Sequence, residues 1–593
     1  MVFLFHSRIA QNLCAILYSM QKNWVIREEP TKDIAELFTD EHPIARILLG
    51  RAHISNKDEA EAFFSPNYDR HTHDPFLLKN MNRAVERISA AIHNKEKIIV
   101  YSDYDADGVC GGVVFHDFFR AINYTNFTNY IPHRYMEGYG LTMERIDAFS
   151  RDGAKVLITI DCGVTDYEEI ERAQSLGIDV VVIDHHLVPP KWPPAYAVID
   201  YKQEDDTYPS KYLSGAGLAF KTVQGILSRG EWPVSVGWSK WLLDVVAIAA
   251  VADMVPLLGE NRTLVHYGLK VLSKTRRPGL QELYRSLRLG DVEITSDTIG
   301  FTIAPRINAA SRLGHASLAF QLLTSNAPEE ARSVAKNLEG KNEDRKKIVE
   351  QIVAEIRDSY RHKEPSAVIF TGKKQWLAGV LGIVATRLVE EFGRPAFLWG
   401  AGGDMFSMEH VKGSCRTIPG INAVEVMRAC SQHLLDFGGH TVAGGFSLEE
   451  QAVPAFGMAL EDAVRVASQN VQVEDLLLEA ELSLPDITWE AYNALAKFEP
   501  FGQENKKPLF LFKNMEAAYV QLFGPAKNHL KLGFWTNSNT ILWALKFGAD
   551  PKWFREIHPG SRLDIAASFD AHQWMGNHEL RLRIEDMRFS RIV

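Results

Sequence analysis

The feature that most constrains this chain is a set of short Val/Ile runs, each stopping at acidic or imidazole side chains. The first is Ile98-Ile99-Val100-Tyr101-Ser102, followed at once by Asp103, Asp105 and Asp107 and then Gly108. In an extended segment alternate side chains point the same way, so these three carboxylates share a face. Like charges that close repel strongly unless a cation sits among them. Gly108 permits a tight turn into the apolar, helix-like run Val109 to Ile122. Taken alone, the stretch reads equally as a metal-binding strand end and as a solvated acidic turn.

The pattern recurs downstream. Val156 to Ile160 ends in Asp161-Cys162-Gly163, Val180 to Ile183 ends in Asp184-His185-His186, and a further strand is expected at Ala197 to Ile199. Continuous β-branched runs separated by amphipathic helices predict an α/β fold with a parallel sheet covered on both faces. In open sheets of this kind ligands bind beyond the carboxyl ends of the strands. A lone Asp after a strand is usually a helix cap, and a lone His is usually a satisfied polar residue. Three such endings on one sheet edge make metal the better reading. Asp253, after the apolar helix Val245 to Val251, is a fourth contribution. The resulting donor set is rich in oxygen, holds one or two imidazoles and has no thiolate. That suits Mn2+ or Mg2+ better than zinc. So many carboxylates exceed the needs of one ion; two divalent ions about 3.5–4 Å apart is the simplest arrangement, and it serves phosphoryl transfer.

Bulk properties narrow the alternatives. At 593 residues the chain is too long for one core, so about three or four domains are expected. Five scattered cysteines without CxxC spacing argue against a disulfide framework or zinc knuckle and suit a reducing cytoplasm. A net charge of −10 excludes a global electrostatic grip on nucleic acid, leaving a local basic groove or bridging metal ions. Residues 1–20 read as an extension. His6, Arg8, Gln11 and Asn12 interrupt its apolar character, it lacks a small-residue cleavage site, and Met20 offers a second start. No membrane association is expected.

The motifs DYDADG at 103–108, DCG at 161–163 and DHH at 184–186, continued by VADMVPL at 251–257 and PRINAASR at 305–312, resemble the DHH phosphoesterase superfamily. GVLGIVATRLVEEFGRPAF at 379–397, KGSCRTIPG at 412–420 and GGHTVAGGFSL at 438–448 resemble its DHHA1 domain. Together they resemble the RecJ family of single-strand-specific exonucleases over roughly residues 21–593. The domains implied are an N-terminal helical segment (21–95), a DHH catalytic domain with a parallel sheet (96–325) and a connecting helix (326–362). A smaller α/β DHHA1 domain (363–470) and a C-terminal β-rich, OB-like barrel (471–593) complete the set. In the connecting segment Val349, Val353 and Ile356 form an i, i+4, i+7 stripe on an otherwise charged helix.

The resemblance implies roles residue by residue. Asp105, Asp107, Asp161, His185 and Asp253 match the family's metal ligands, with Asp161 as the bridge; Asp103 and Asp184 stand behind them. His186 matches a residue that contacts the scissile phosphate, and Arg306 and Asn308 match the motif on the phosphate side of the site. Arg134, in Pro132-His133-Arg134-Tyr135-Met136-Glu137-Gly138-Tyr139-Gly140, is expected to fork onto a DNA phosphate. Ser414 and Arg416 are assigned to phosphates at the 5′ end of the strand and His440 to the cleft between the two core domains, which is expected to admit only one strand. The chain departs from the family pattern at Trp376-Leu377-Ala378-Gly379, where Trp-His-Pro-Gly is usual. It also departs at Asp200-Tyr201 for Asn-Pro and at Ser311 for Gly.

In the C-terminal region, strands are expected at Leu509–Phe512, His529–Trp535, Ile541–Phe547, Leu563–Phe569 and Leu580–Ile584, as in an OB-like barrel. Phe534, Trp535, Trp543 and Trp574 are candidates to stack on bases, with Lys531 and Lys546 near phosphates, although most such aromatics are expected to fill the barrel core. The implied activity is a 5′→3′ exonuclease in DNA repair and recombination. It would use two divalent ions, Mn2+ or Mg2+, to release mononucleotides from single-stranded DNA. It would act as a monomer, with a helicase and a single-strand-binding protein as partners. The alternatives are a phosphodiesterase acting on short oligonucleotides or cyclic dinucleotides, and a non-catalytic replication scaffold.

Overall fold

The computed structural model describes residues 22–28, 36, 38–51, 54, 56–187, 189–290, 293–361, 365–401, 410–471, 475–524, 527–537, 539–549, 551–574 and 577–590. The 1–20 extension lies outside them. Two compact units organise the chain. The first comprises Glu61–Lys347 with Glu499–Lys506, and the second Ile348–Phe498 and Lys507–Val593 with the N-terminal residues to Ala60.

The first unit is built on a parallel sheet of β1 (Lys97–Ser102), β2 (Phe127–Tyr130), β3 (Ala154–Ile160), β4 (Asp179–Ile183) and β5 (Ala197–Ile199), in the order β2-β1-β3-β4-β5. Alternation along β1 shows why it is buried on both sides. Ile98 and Val100 enter one core with α1 (Met81–His93) and α2 (Ala106–Ala121), while Ile99 and Tyr101 enter another with α3 (Met143–Arg151) and α4 (Tyr167–Ser175). The first core is completed by α5 (Gly215–Arg229), α6 (Leu243–Ala252), α7 (Pro278–Leu287) and α8 (Ala304–Arg312). Four of these five strands match the expected ones to within two residues. The fifth, β2, reads Phe-Thr-Asn-Tyr; as an edge strand it carries no continuous apolar run and so gave no signal.

A 32-residue helix, α9 (Pro328–Ser359), follows, and its stripe of Val349, Val353 and Ile356 is buried. In the second unit, β6 (Ile369–Leu377), α10 (Ala378–Phe392), β7 (Ala396–Ala401), β8 (His410–Arg416), β9 (Asp436–His440) and β10 (Ala443–Glu449) form a mixed α/β layer. Its strand order is β9-β10-β8-β7-β6, with only β6 and β7 parallel. Among the described residues, one sheet of the β-rich region has seven strands: β11 (Glu481–Leu482), β12 (Phe510–Glu516), β13 (Tyr519–Phe523), β14 (His529–Trp535), β15 (Ile541–Lys546), β16 (Arg562–Trp574) and β17 (Asn577–Phe589). They run β11-β12-β16-β17-β15-β14-β13, an OB-like arrangement with two more strands than expected. Trp24–Ile26 pairs in parallel with Leu476–Leu478, so the N-terminal segment is not wholly helical. Among the described residues no helix is long and apolar enough to cross a membrane.

Candidate metal centre

Each ligand candidate is delivered by a strand end or a helix end, and local hydrogen bonding fixes it there. Asp105 caps α2, accepting from Asp107 N at 2.9 Å and Gly108 N at 3.2 Å. Gly108 is required: a Cβ there would lie 2.5 Å from the Asp103 carbonyl oxygen. Asp107, one turn into α2, accepts from Gly215 N at 2.7 Å and Ala216 N at 2.8 Å, so the amino end of α5 holds it in place. Asp161 follows β3 with φ 62°, a left-handed conformation that Asp tolerates better than most residues, and its amide donates to Ile183 O at 2.9 Å. Asp253 caps the carboxyl end of α6.

These carboxylates converge on His185. Its Nε2 lies 3.1 Å from Asp161 Oδ1, 3.5 Å from Asp107 Oδ2 and 3.6 Å from Asp253 Oδ2. Asp103, Asp107 and Asp161 are buried, Asp105 is half-buried and Asp253 stands at the rim. The electrostatics are those of an uncompensated anionic cluster. Burial, then the charge of Asp105, pushes Asp107 up to about 7 and Asp103 well above the usual carboxylate range. Burial, then Asp107, raises Asp161 strongly and Asp253 to about 8.

Asp184 behaves in the opposite way. Burial would raise it, but the hydrogen bond from His186 Nδ1 at 2.7 Å, the charges of His186 and His185 and the amide of Val164 together outweigh burial and hold its pKa down. It also accepts from Val164 N at 3.0 Å and His185 N at 2.8 Å. It therefore orients both histidines. In return, despite burial, the Asp184 bond lifts His186 to about 9.

The residues present fit hard divalent cations. Three groups have ligand atoms within 4.8 Å of one another: Asp103, Asp105 and Asp161; Asp107, His185 and Asp253; Asp161, His185 and His186. Asp161 and His185 each belong to two of them. Asp103 Oδ1 is buried without a hydrogen-bond partner, a costly condition that a cation relieves. The neighbouring Cys162 turns its thiol 3.5 Å from Ile160 O, within the core, so no thiolate joins the set.

The other site candidates are placed as follows. Asn308 Oδ1 accepts from Ala106 N at 2.9 Å and so fixes the first turn of α2. Arg306, expected on the phosphate side of the site, is 8% exposed and already engaged by protein groups. Its guanidinium is clamped by Glu339 of α9, at 2.5 and 3.0 Å, and donates to Thr302 O at 2.7 Å. Here it ties two helices together, a role that a motif with no knowledge of Glu339 could not show. Arg134 lies over the Tyr104 ring at 4.7 Å, next to the acidic strand end. Its loop is braced by Glu137, which accepts from His133 N at 2.8 Å and Arg145 Nε at 2.7 Å.

In the second unit, Ser414 and Arg416 share one face of β8, and Arg416 lies against Gly382 of α10 with burial lowering its pKa. His440 ends β9. Of the aromatic candidates, Phe534 is buried and belongs to the core, while Trp535 is 49% exposed. Trp543 is half-buried with Lys531 Nζ 3.9 Å from its ring centre, and Lys546 is tied to Glu585 O. The Trp574 side chain lies outside the described residues.

Three further residues near the site were given no role from sequence. Tyr139 OH donates to Asp161 O at 3.1 Å and lies 3.1 Å from His186 Nδ1. Lys202 Nζ donates to His185 O. Asp200, where the family pattern has Asn, is fully buried and raised to about 7 by burial. Tyr139 was within reach of sequence through its place in the Glu137–Gly140 segment, and Asp200 through its departure from the family pattern; Lys202 carried no such mark.

Family models match three stretches: the DHH family N-terminal domain over residues 97–250, the DHHA1 domain over 364–466 and the RecJ OB domain over 478–586. The single-stranded-DNA-specific exonuclease RecJ of Bacillus subtilis is 34% identical over 97% of this chain and 72% of its own length. That of Escherichia coli is 30% identical over 86% of this chain and 90% of its own. The crystal structure of RecJ in complex with Mn2+ from Thermus thermophilus superposes with a TM-score of 0.80 at 27% identity, covering 96% of this chain and 80% of that one.

Proposed function

Because the chain belongs to the RecJ family of single-stranded-DNA-specific exonucleases, we propose that it hydrolyses phosphodiester bonds of single-stranded DNA in a reaction dependent on Mn2+ or Mg2+. It would start at the 5′ end and release mononucleotides. The observation that carries the reading is the cluster in which Asp107, Asp161 and Asp253 surround His185 and Asp161 also joins Asp103 and Asp105, with a buried oxygen left unsatisfied and no Lys or Arg paired within it among the described residues.

Asp105, Asp107, Asp161, His185 and Asp253 would hold the two ions. When bound, such ions activate a water and neutralise charge on the attacking and leaving oxygens. The chain's own residues do the positioning. Asp184 holds the proton on His186 Nδ1, leaving Nε2 of a charged imidazole to hydrogen-bond a phosphate oxygen as negative charge builds there. The α5 amides fix Asp107, and Asn308 fixes the turn that carries Asp105 and Asp107. Arg134 beside Tyr104 would seat a neighbouring phosphate, and Ser414 with Arg416 the phosphate at the 5′ end.

The seven-stranded OB-like sheet, with the exposed Trp535, favours a strand of several nucleotides over a dinucleotide. An enzyme restricted to single strands needs duplex opened for it, so the reading extends to a helicase and a single-strand-binding protein as partners of a cytoplasmic monomer. The test is digestion of end-labelled oligonucleotides with Mn2+, Mg2+ or EDTA. Loss of label from single strands only with metal, as mononucleotides from the 5′ end, is expected. Equal degradation of blunt duplex, or metal-independent cleavage, would sink the proposal.

A further inference from the structure

One segment of the first unit comes from far along the chain: Glu499-Pro500-Phe501-Gly502-Gln503-Glu504-Asn505-Lys506. In sequence it lies between the helix Trp489–Ala496 and β12, at the head of the OB-like sheet. In space it packs on the residues that follow Asp253. Leu257 N donates to Gln503 O at 2.9 Å. Arg262, 2% exposed, donates to Glu499 O at 2.6 Å and Pro500 O at 3.3 Å, and Ser296 Oγ donates to Phe501 O at 2.6 Å. Gly502 lies so close that a Cβ there would be 2.6 Å from Leu257 Cδ1.

Asp253 is followed by Met254 with φ 57°, whose amide and that of Val255 close the helix end onto Val251 O (3.3 Å) and Ala250 O (3.2 Å); Pro256-Leu257 beyond that turn belong to no helix or strand. One side of it is held by Asn261, whose Nδ2 donates to Pro256 O at 3.1 Å. The other side is held by the 499–506 segment. The helix-closing bonds fix the turn at Asp253 itself, but the fine placement of a ligand on the last turn also depends on what brackets the backbone leaving it.

We propose that Glu499–Lys506 is a positioning strap that holds Asp253 in place, so that one of the two metal subsites is completed only when this C-terminal segment is docked. The inference rests on the metal reading above. It makes the subsite of Asp107, His185 and Asp253 dependent on the strap, and the subsite of Asp103, Asp105 and Asp161 independent of it. A segment that merely stabilised the unit would affect both alike.

The test is Mn2+ titration of the full-length, DNA-free protein, followed by the electron paramagnetic resonance of free Mn2+. Wild type is expected to bind two ions. Gly502→Val, which pushes on Leu257, should weaken one of them by about tenfold or more and leave the other unchanged. Ser296→Ala, which removes a single anchor and preserves packing, should weaken the same ion about twofold to threefold, and it serves if Gly502→Val does not fold. Leu283→Ala, a cavity in the core at α7, should lower thermal stability and change neither ion. Two unchanged ions in both strap variants, or equal weakening of both ions, overturn the inference while leaving the metal reading standing. A wild type that binds no Mn2+ overturns both.

Discussion

Two acidic clusters stand at opposite ends of the helix pair α2 and α6, and the fold treats them in opposite ways. At one end Asp117 of α2 and Asp244 of α6 meet Arg277, which precedes α7. Arg277 Nη1 is 2.7 Å from Asp117 Oδ2, Nε is 2.6 Å from Asp244 Oδ2, and Nη1 reaches Leu323 O at 2.9 Å. Burial disfavours the guanidinium charge, yet Asp244 and Asp117 outweigh it and raise the Arg277 pKa. At the other end, roughly 15 Å along the same helices, Asp107 and Asp253 meet His185 instead, and their pKa values climb to about 7 and about 8. The residue types are the same. The first cluster carries its cation in the chain and is a fastener; the second has no such cation and, on the proposed reading, would take an ion from solution and serve as the reaction site.

The comparison breaks first at Asp161. Asp161→Ala should cut turnover on end-labelled single strands by at least about a thousandfold, some 4 kcal/mol of transition-state stabilisation, with the far-ultraviolet circular dichroism unchanged. Retained activity would refute its bridging role. Arg277→Met should do the converse, leaving the buried Asp244 and the half-buried Asp117 without their cation and lowering unfolding free energy in urea by about 3 kcal/mol. A neutral result there would show that the fastener is not one.

Mn2+ sharpens the contrast further. At a hundred times its dissociation constant it should stabilise the wild type by about 2.7 kcal/mol, visible in the thermal midpoint, and Asp161→Ala by much less. The smallest effect is on pH dependence. Asp107 and Asp253 titrate in the folded protein at about 7 and about 8, against about 4 when unfolded. A raised carboxyl pKa contributes stability that is complete below about 4 and is lost as pH rises through the folded value. His186, raised to about 9, acts in the same sense, its contribution complete below about 6.5. In EDTA the thermal midpoint should therefore fall between pH 5 and pH 9, and saturating Mn2+ should largely flatten the slope. A flat profile in EDTA would mean that the cluster is not uncompensated.

How much of this was legible in the sequence follows from how local each feature is. Buried parallel strands write continuous Val/Ile runs, and the residues that end them were visible at Asp103, Asp161 and Asp184. The edge strand Phe127–Tyr130 writes no such run. Pairings between distant segments leave no local mark. Nothing near Arg306 announces Glu339, nothing near Leu257 announces Gln503, and the unsatisfied oxygen of Asp103 exists only once the sheet closes over it. The split of roles within the acidic strand end, with Asp105 capping α2 and Asp107 gripped by α5, is likewise a property of the folded helix ends.

The backbone at Asp161, with φ 62°, carries a consequence for how this protein can change over evolutionary time. A left-handed position is where glycine is at ease and an L residue is strained, and here the strained residue is also a buried carboxyl whose ionisation burial and its neighbours disfavour. Asp161→Gly relieves both burdens at once. The shortest mutational path to a more robust fold thus runs through the loss of catalysis, and a lineage released from selection for activity would drift into a sturdier, silent scaffold with its helices and sheet unchanged.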